Sequence, residues 1–451
     1  MLNRRSLLAA GAAGAAGLAL GGLRAAAAEP LPLDGGTLLP DPKGLFDLPK
    51  GFSYTLLSEM GQRMDDGLPT PGRFDGMGAF AAPGGRTILV RNHEFWAYNE
   101  NGPFGAKNEL LTPAIRSKMF NPATDPVAKG GTTTLLLNRD CTAVERSHLS
   151  LAGTLRNCAG GTTPWGSWLS CEEPKRSFVN KLADGHGWVF EVPSRATELI
   201  EAVPLRAMGR FNHEAAAVDP KTGIVYLTED HEDGLFYRFL PEQRGRLARG
   251  GKLQALAIDG LKHSANRDGG WQVGATQKVR WVDLDGVEAP DDDLRDRGAA
   301  KGATRFVRGE GLAIGEGAIW FTCTEGGANQ KGQVFRYRPS PAEGRPGETD
   351  QPAELSLFIE PNDIAQLDMP DNLCVAPWGD LVICEDGKGE EYLRLVTPEG
   401  RIRVIGRNAH KGQAELAGVC FSPDAKTMFV NIYNPGYTLA IKGPWETLRQ
   451  G

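Results

Sequence analysis

The stretch Arg156 to Glu173, RNCAGGTTPWGSWLSCEE, reads as one tight β-hairpin: a small-residue arm, a Pro-Trp-Gly turn and an apolar arm, Ser167–Ser170, ending in two glutamates. In an antiparallel hairpin the two free ends lie side by side, so Cys158 and Glu173, fifteen positions apart, should emerge together at one end of a sheet. The unit recurs. Glu214 to Glu229 (EAAAVDPKTGIVYLTE), Glu310 to Glu325 (EGLAIGEGAIWFTCTE) and Asp371 to Asp386 (DNLCVAPWGDLVICED) each place two apolar arms around a turn signal, again with ends fifteen apart. Looser copies run from Glu415 to Asn431 and from Asp75 to Glu94, making six.

Six irregularly spaced copies of one hairpin imply an all-β fold, a six-bladed β-propeller in which each blade is a small antiparallel sheet around a central channel. The recurring hairpin would lie nearest the axis, with its open end at one mouth. Glu94, Glu173, Glu214, Glu229, Glu310, Glu325, Asp371, Glu385 and Glu415 would then converge. That many carboxylates cannot remain ionised together without cations, because each raises its neighbours' pKa. Carboxylate oxygens favour hard ions such as calcium, and a thiolate favours iron or zinc, so the pattern reads as a multi-metal site. A buried free thiol is the plain alternative for Cys158, but its place at a carboxylate-rich hairpin end favours a ligand.

The chain of 451 residues is long enough for six blades of four strands, and 58 glycines with 30 prolines suit a turn-rich β protein. Net charge is −6, and it becomes −9 without Arg4, Arg5 and Arg24, since residues 1–28 hold no acid. Such an acidic surface argues against nucleic acid as a partner, though bound cations would still admit an anionic substrate. Seven cysteines with no CxxC pair do not form a disulfide framework, and Cys323, Cys374, Cys384 and Cys420 read as buried thiols.

Residues 1–28 read as a leader: Arg4-Arg5 carries a twin arginine, an Ala/Gly/Leu run follows, and Ala25–Ala28 offers a cleavage site. The run is too short and too rich in small residues to favour a stable membrane span. The expectation is a periplasmic or secreted monomer, handled by the twin-arginine export machinery. Residues 29–451 then form one propeller domain. Phe52–Leu57 is a strand candidate, and Gly131–Leu137, Leu235–Leu240, Val334–Tyr337, Leu355–Ile359 and Tyr392–Val396 fill outer-strand roles. Two stretches interrupt the pattern, near 95–130 and 241–305, and read as loop or helical insertions over one mouth. The charged run Asp291–Arg297 in the second is most simply a solvated helix or loop.

Several motifs carry a resemblance. Arg91-Asn92-His93-Glu94, Arg156-Asn157-Cys158-Ala159-Gly160-Gly161, Trp165-Gly166-Ser167-Trp168, Cys171-Glu172-Glu173, Arg210-Phe211-Asn212-His213-Glu214 and Arg308-Gly309-Glu310-Gly311 are similar to motifs of the PhoX-type alkaline phosphatases. The resemblance runs in segments from about residue 45 to the C-terminus. It implies a propeller that hydrolyses small phosphate esters with a cluster of iron (Fe3+, a pair) and calcium (Ca2+) ions. By motif, it implies Cys158, Glu173, Glu214 and Glu310 as ligands in or near the iron pair. Glu229, Asp371 and Glu385, with Glu94 and Glu415, are the remaining metal-ligand candidates, and the resemblance also implies a phosphate-contacting arginine at Arg308. Arg156 precedes Cys158 by two, as Arg308 precedes Glu310, so both guanidiniums could flank the cluster, where a planar fork suits phosphate oxygens. Three departures stand out. Gly309 replaces a proline, Asn434-Pro435-Gly436 replaces His-Pro-Gly, and an arginine before the last hairpin is matched only by Arg407 or Lys411.

His93 and His213 adjoin Glu94 and Glu214 and, as strand neighbours, should point away from them. No nucleophilic serine motif is present; Ser167 and Ser170 read as structural. Two rival functions remain, a calcium-dependent propeller lactonase or esterase and a non-catalytic, metal-stabilised binding propeller. Cys158 with paired arginines favours the phosphatase, since a lactonase needs neither a soft ligand nor anion forks.

Overall fold

The structure, a computed structural model, describes residues 37–123, 125–174, 185–412 and 414–448; the expected leader, residues 1–28, lies outside them. Its strands form six blades around one axis. The first comprises Phe74–Ala82, Arg86–His93, Gly130–Leu137 and Val144–Thr154, and the second Gly161–Thr162, Ser167–Cys171 and Val189–Pro193. The third runs His213–Val218, Val225–Glu229, Gly234–Pro241 and Gly251–Ala257; the fourth Gly309–Gly315, Ala318–Cys323, Gln333–Arg338 and Ala353–Ile359. The fifth holds Pro370–Val375, Leu381–Glu385, Tyr392–Val396 and Ile402–Asn408, and the sixth Leu416–Phe421, Met428–Ile432 and Tyr437–Lys442.

The ring closes on an early strand. Ser53–Glu59 pairs antiparallel with Tyr437–Lys442, so the outermost strand of the last blade comes from the N-terminal side of the chain. Hydrophobic clusters then fill all six seams. Phe80 and Val90 pack on Trp168 and Phe190, and Leu169 and Val189 on Leu227 and Tyr237. Tyr226 and Phe236 meet Ile319 and Phe321, and Trp320 and Val334 meet Leu381 and Ile383. Val382 and Leu393 meet Val430 and Leu439, and Phe429 with Leu57 returns to Leu89 and Leu135. Every blade is thus buried on both faces, and an interior Phe→Ala change at Phe321 should cost about 3–5 kcal/mol.

Close backbone approach sets the inner ring. A side chain at Gly76 would start 1.8 Å from the Ala159 carbonyl oxygen, and one at Gly161 would start 1.7 Å from that of Ala216. Only glycine fits where neighbouring inner strands touch in this way. The channel beneath the mouth, about 270 Å3, is lined by small and apolar residues from all six inner strands, among them Gly78, Gly160, Ala217, Ala313, Val375 and Val419.

The two interruptions differ from expectation in part. Among the described residues of 95–129 there is one short helix, Pro113–Arg116, and the Trp96 ring lies 5.2 Å from the Arg156 guanidinium at the mouth. Residues 241–305, in contrast, carry two strands. Gly251–Ala257 is the outer strand of the third blade, and Thr276–Asp283 bridges it to Ala353–Ile359, fusing the outer edges of blades three and four. The charged run is the start of helix Leu294–Ala300, and its Arg295 reaches inward, 3.2 Å from buried Glu229.

Candidate metal centre

One register slip shapes the mouth. In five inner strands an extra residue is inserted at the same place: between Phe74 and Met77, His213 and Ala216, Gly309 and Leu312, Pro370 and Leu373, and Ala417 and Cys420. Such a bulge breaks strict alternation and re-aims a side chain. Asp75, Glu214, Glu310 and Asp371 sit in it.

Three groups of potential ligands result, the donor atoms of each lying within 4.8 Å of one another: Glu94 with Cys158 and Glu173, Asp75 with Glu94 and Glu415, and Glu214 with Glu310 and Asp371. Cys158 Sγ is 3.3 Å from Glu173 Oε2, as the hairpin spacing requires. Asp386 joins them through a side-chain hydrogen bond with Glu415. Sequence reasoning missed Asp75 as a ligand candidate and preferred Glu385 to Asp386.

Arginines thread the acids. Arg156 pairs through Nη2 with Glu94 and through Nη1 with Glu173 Oε2 at 2.7 Å. Arg308 holds Asp230 Oδ1 with Nε at 2.8 Å and Glu310 Oε1 with Nη2 at 2.7 Å, and its Nη1 lies 3.4 Å from Glu325 Oε1. Glu325 also lines a cavity of about 830 Å3 together with Asp233, His263, Trp271 and Val307. The two arginines occupy matching backbone positions. Both adopt left-handed φ, +44° at Arg156 and +48° at Arg308. Each accepts, on its carbonyl, the amide of the residue leaving the second strand: Glu173 N at 2.9 Å and Thr324 N at 3.0 Å. Arg73 repeats it in the first blade, with φ +49° and its carbonyl taking Glu94 N at 3.1 Å, and Met369 in the fifth, with φ +50° and its carbonyl taking Asp386 N at 3.0 Å.

Two sequence candidates are not in the mouth. Glu229 Oε2 accepts from Leu235 N and Tyr237 Oη, and its Oε1 faces Arg295; Glu385 accepts from Asp368 N and Tyr392 N and pairs with Arg394 at 2.7 Å. Both are the strand residue paired across the hairpin, His213 with Glu229 and Pro370 with Glu385, and the next residue is the one that faces the axis. Strand alternation turns one to the sheet and its successor to the mouth. Arg407 is also elsewhere, paired with Asp47 and Glu390 on the fifth blade, and Lys411 is exposed; neither supplies a mouth arginine. His93 and His213 turn away as expected, His93 to Gly72 O and Thr133 Oγ1, His213 to Gly209 O.

The electrostatics fit cations. Asp75, Glu94, Glu173, Glu214, Asp230, Glu310, Asp371, Asp386 and Glu415 outnumber Arg73, Arg156 and Arg308 among the described residues of the mouth. Burial, then Glu310 and Glu173, push Glu214 well above the usual carboxylate range. Burial, then Asp386, raise Asp371 to about 7, and burial followed by Glu94 raises Asp75. The Cys158 thiol is likewise pushed up by burial and by Glu214, Glu94 and Glu173. Bound cations reverse each of these penalties and would make the thiolate a ligand. A site of many buried oxygens and one sulfur, short of positive charge, suits several metal ions.

A family model described as alkaline phosphatase PhoX matches residues 33–436. Among solved structures, the chain is similar to Pseudomonas fluorescens PhoX in complex with vanadate, a transition-state analogue, with 19% identity, a TM-score of 0.69, and 91% of this chain and 97% of that one covered. A gluconolactonase from Xanthomonas campestris follows at 12% identity and a TM-score of 0.42, with 91% and 98% covered. No curated protein sequence matches the chain.

Proposed function

The chain belongs to the PhoX alkaline phosphatase family, metal-dependent phosphoric ester hydrolases, and from that membership we propose which of its residues carry the reaction. Cys158 with Glu173, Glu214 and Glu310 would hold iron, because a thiolate selects a softer ion than oxygen alone. Asp75, Glu94, Glu415, Asp371 and Asp386 would complete the set with calcium, whose flexible coordination suits carboxylate-only surroundings. When bound, the ions supply Lewis acidity, drawing charge from phosphoryl oxygens and lowering the pKa of water.

The protein's own groups do the rest. Arg308 grips phosphoryl oxygens through its planar fork, while Asp230 on Nε fixes the fork's direction. Arg156 is a positioning residue: held between Glu94 and Glu173, it keeps both carboxylates turned toward Cys158. Ser167 bonds Glu191 at the turn end of its hairpin and Ser170 bonds Asn92 within the sheet, so neither hydroxyl joins the ligand groups at the mouth, and water would be the acceptor of the phosphoryl group. The observation that carries this reading is the convergence of Cys158, Glu173, Glu214 and Glu310 with Arg308 at one mouth.

The test is metal analysis of the purified protein beside parallel assays of an aryl phosphate and a lactone. Iron with calcium and ester cleavage that Cys158→Ala and Arg308→Ala both abolish are expected; undiminished cleavage by both variants rejects the assignment. Residues 1–28, with Arg4-Arg5, would direct the folded monomer to the periplasm or outside through the twin-arginine route. Fractionation of an Arg4→Lys/Arg5→Lys variant checks this, since retained export would exclude that route.

A further inference from the structure

We propose that Arg73 is a second phosphate-gripping residue of this site, a proposal that rests on the phosphatase reading and deepens it. Four places around the mouth share one backbone arrangement, left-handed φ with the carbonyl bound to the residue leaving the second strand; Arg73, Arg156 and Arg308 fill three of them and Met369, in the fifth blade, the fourth. Their side chains meet different company. Arg156 is held by two carboxylates and Arg308 by Asp230 and Glu310 with Glu325 beyond. Arg73 instead donates from Nη1 to the neutral Tyr433 hydroxyl at 2.9 Å, its guanidinium 5.4 Å from the centre of that ring. Tyr433 in turn donates to Glu94 Oε2. Arg73 therefore stands two hydrogen bonds, through Tyr433, from a carboxylate shared by two ligand groups, and among the described residues no contact ion pair cancels its charge.

A guanidinium offers five donors in one plane, and one bond to a phenol leaves a fork for an oxyanion. The half-buried setting strengthens that grip, because water competes poorly and the charge is weakly screened. Tyr433 serves as the spacer that keeps Arg73 off Glu94. Arg73 and Arg308 would then hold phosphate from the first and fourth blades, on opposite sides of the ring.

The experiment compares metal-loaded wild type, Arg73→Gln and Arg73→Lys for KM and kcat with an aryl phosphate, for the inhibition constant of inorganic phosphate, and for bound metal and Tm. Loss of a charge-assisted contact should weaken phosphate inhibition and raise KM together by about 10- to 100-fold. Lysine should recover only part, and metal content and Tm should stay at the wild-type values. An unchanged inhibition constant in a variant that has lost metal, Tm or kcat makes Arg73 a structural prop and overturns the proposal. So does an unchanged constant in an otherwise intact variant. A wild type that cleaves no phosphate ester overturns the underlying reading instead, which separates the two failures.

Discussion

Glu172 and Glu173 are neighbours in sequence and serve opposite faces of one hairpin. Glu173 reaches Arg156 and Cys158 in the mouth, whereas Glu172 turns into the sheet, where His186 Nδ1 lies 2.6 Å away and the amides of Leu155, Gly187 and Trp188 donate to it. The same division holds for Glu229 and Asp230: the first buttresses the sheet, the second aims Arg308. Paired substitutions should separate these roles. Glu229→Gln loses its contact with Arg295 and should lower stability by roughly 1–3 kcal/mol while leaving bound metal unchanged. Asp230→Asn should lower kcat/KM about 10-fold with little change in Tm. Tm and kcat/KM measured on both variants decide it; interchanged effects would reverse the assignment.

Cys158→Ser keeps the size of the side chain and replaces sulfur with a harder donor. If the thiolate selects iron, the serine variant should retain calcium, lose iron, and fall at least about 10- to 100-fold in kcat. Element-resolved metal analysis reads the outcome. Equal loss of both metals, or none, would show that the sulfur has no selective role.

Much of this arrangement is legible in the sequence because turn signals and terminal acids mark each hairpin. The parity of the last residue is not. His213 pairs with Glu229 across sixteen positions, Asn157 with Glu172 across fifteen and Gly309 with Cys323 across fourteen, so a constant spacing of fifteen lands on the wrong face in some blades. The shared bulge is equally silent, since no residue type announces an extra position. Asp75 is hidden for a related reason: its partner Glu94 lies nineteen residues on, beyond a long arm. Strand Thr276–Asp283 escapes notice because it bridges two outer edges and leaves only Val279 and Val282 buried.

Asp75→Asn tests that hidden residue. Asp75 lies within 4.8 Å of Glu94 and Glu415, and its own backbone is clamped by Asn431 Nδ2 at 2.6 Å on its carbonyl, so the amide variant should keep the fold. It should bind calcium about 10-fold or more weakly, as loss of a charged ligand implies. Calcium titration of the chelator-stripped protein measures it, and an unaltered affinity would remove Asp75 from the ligand set.

Arg308→Lys should be nearly as damaging as Arg308→Ala. Lysine keeps the charge but cannot span Asp230 and Glu310 while presenting a flat fork to phosphate. Removing one preorganised donor of transition-state charge costs about 100- to 1,000-fold in kcat. Steady-state kinetics on both variants give the comparison, and a lysine variant within a few-fold of wild type would mean that charge alone suffices.

Glu391 should make the stability of the fifth blade depend on pH. The residue is 2% exposed and accepts Gly387 N at 3.1 Å. Burial pushes its carboxyl up to about 8, the amide opposes this, and Glu385, Asp386 and Asp368 add to the rise. In the unfolded chain the group titrates near about 4.3. The folded state therefore holds the proton over the interval between, and the stabilisation is complete below about pH 4 and lost as pH climbs through about 8. Glutamine imitates the protonated form at every pH, so Glu391→Gln should match the parent near pH 4 and exceed it in Tm increasingly toward pH 9. Thermal melts of both proteins across that range provide the check; a Tm difference that stays flat, or grows toward acid, would rule out a protonated Glu391 in the folded blade.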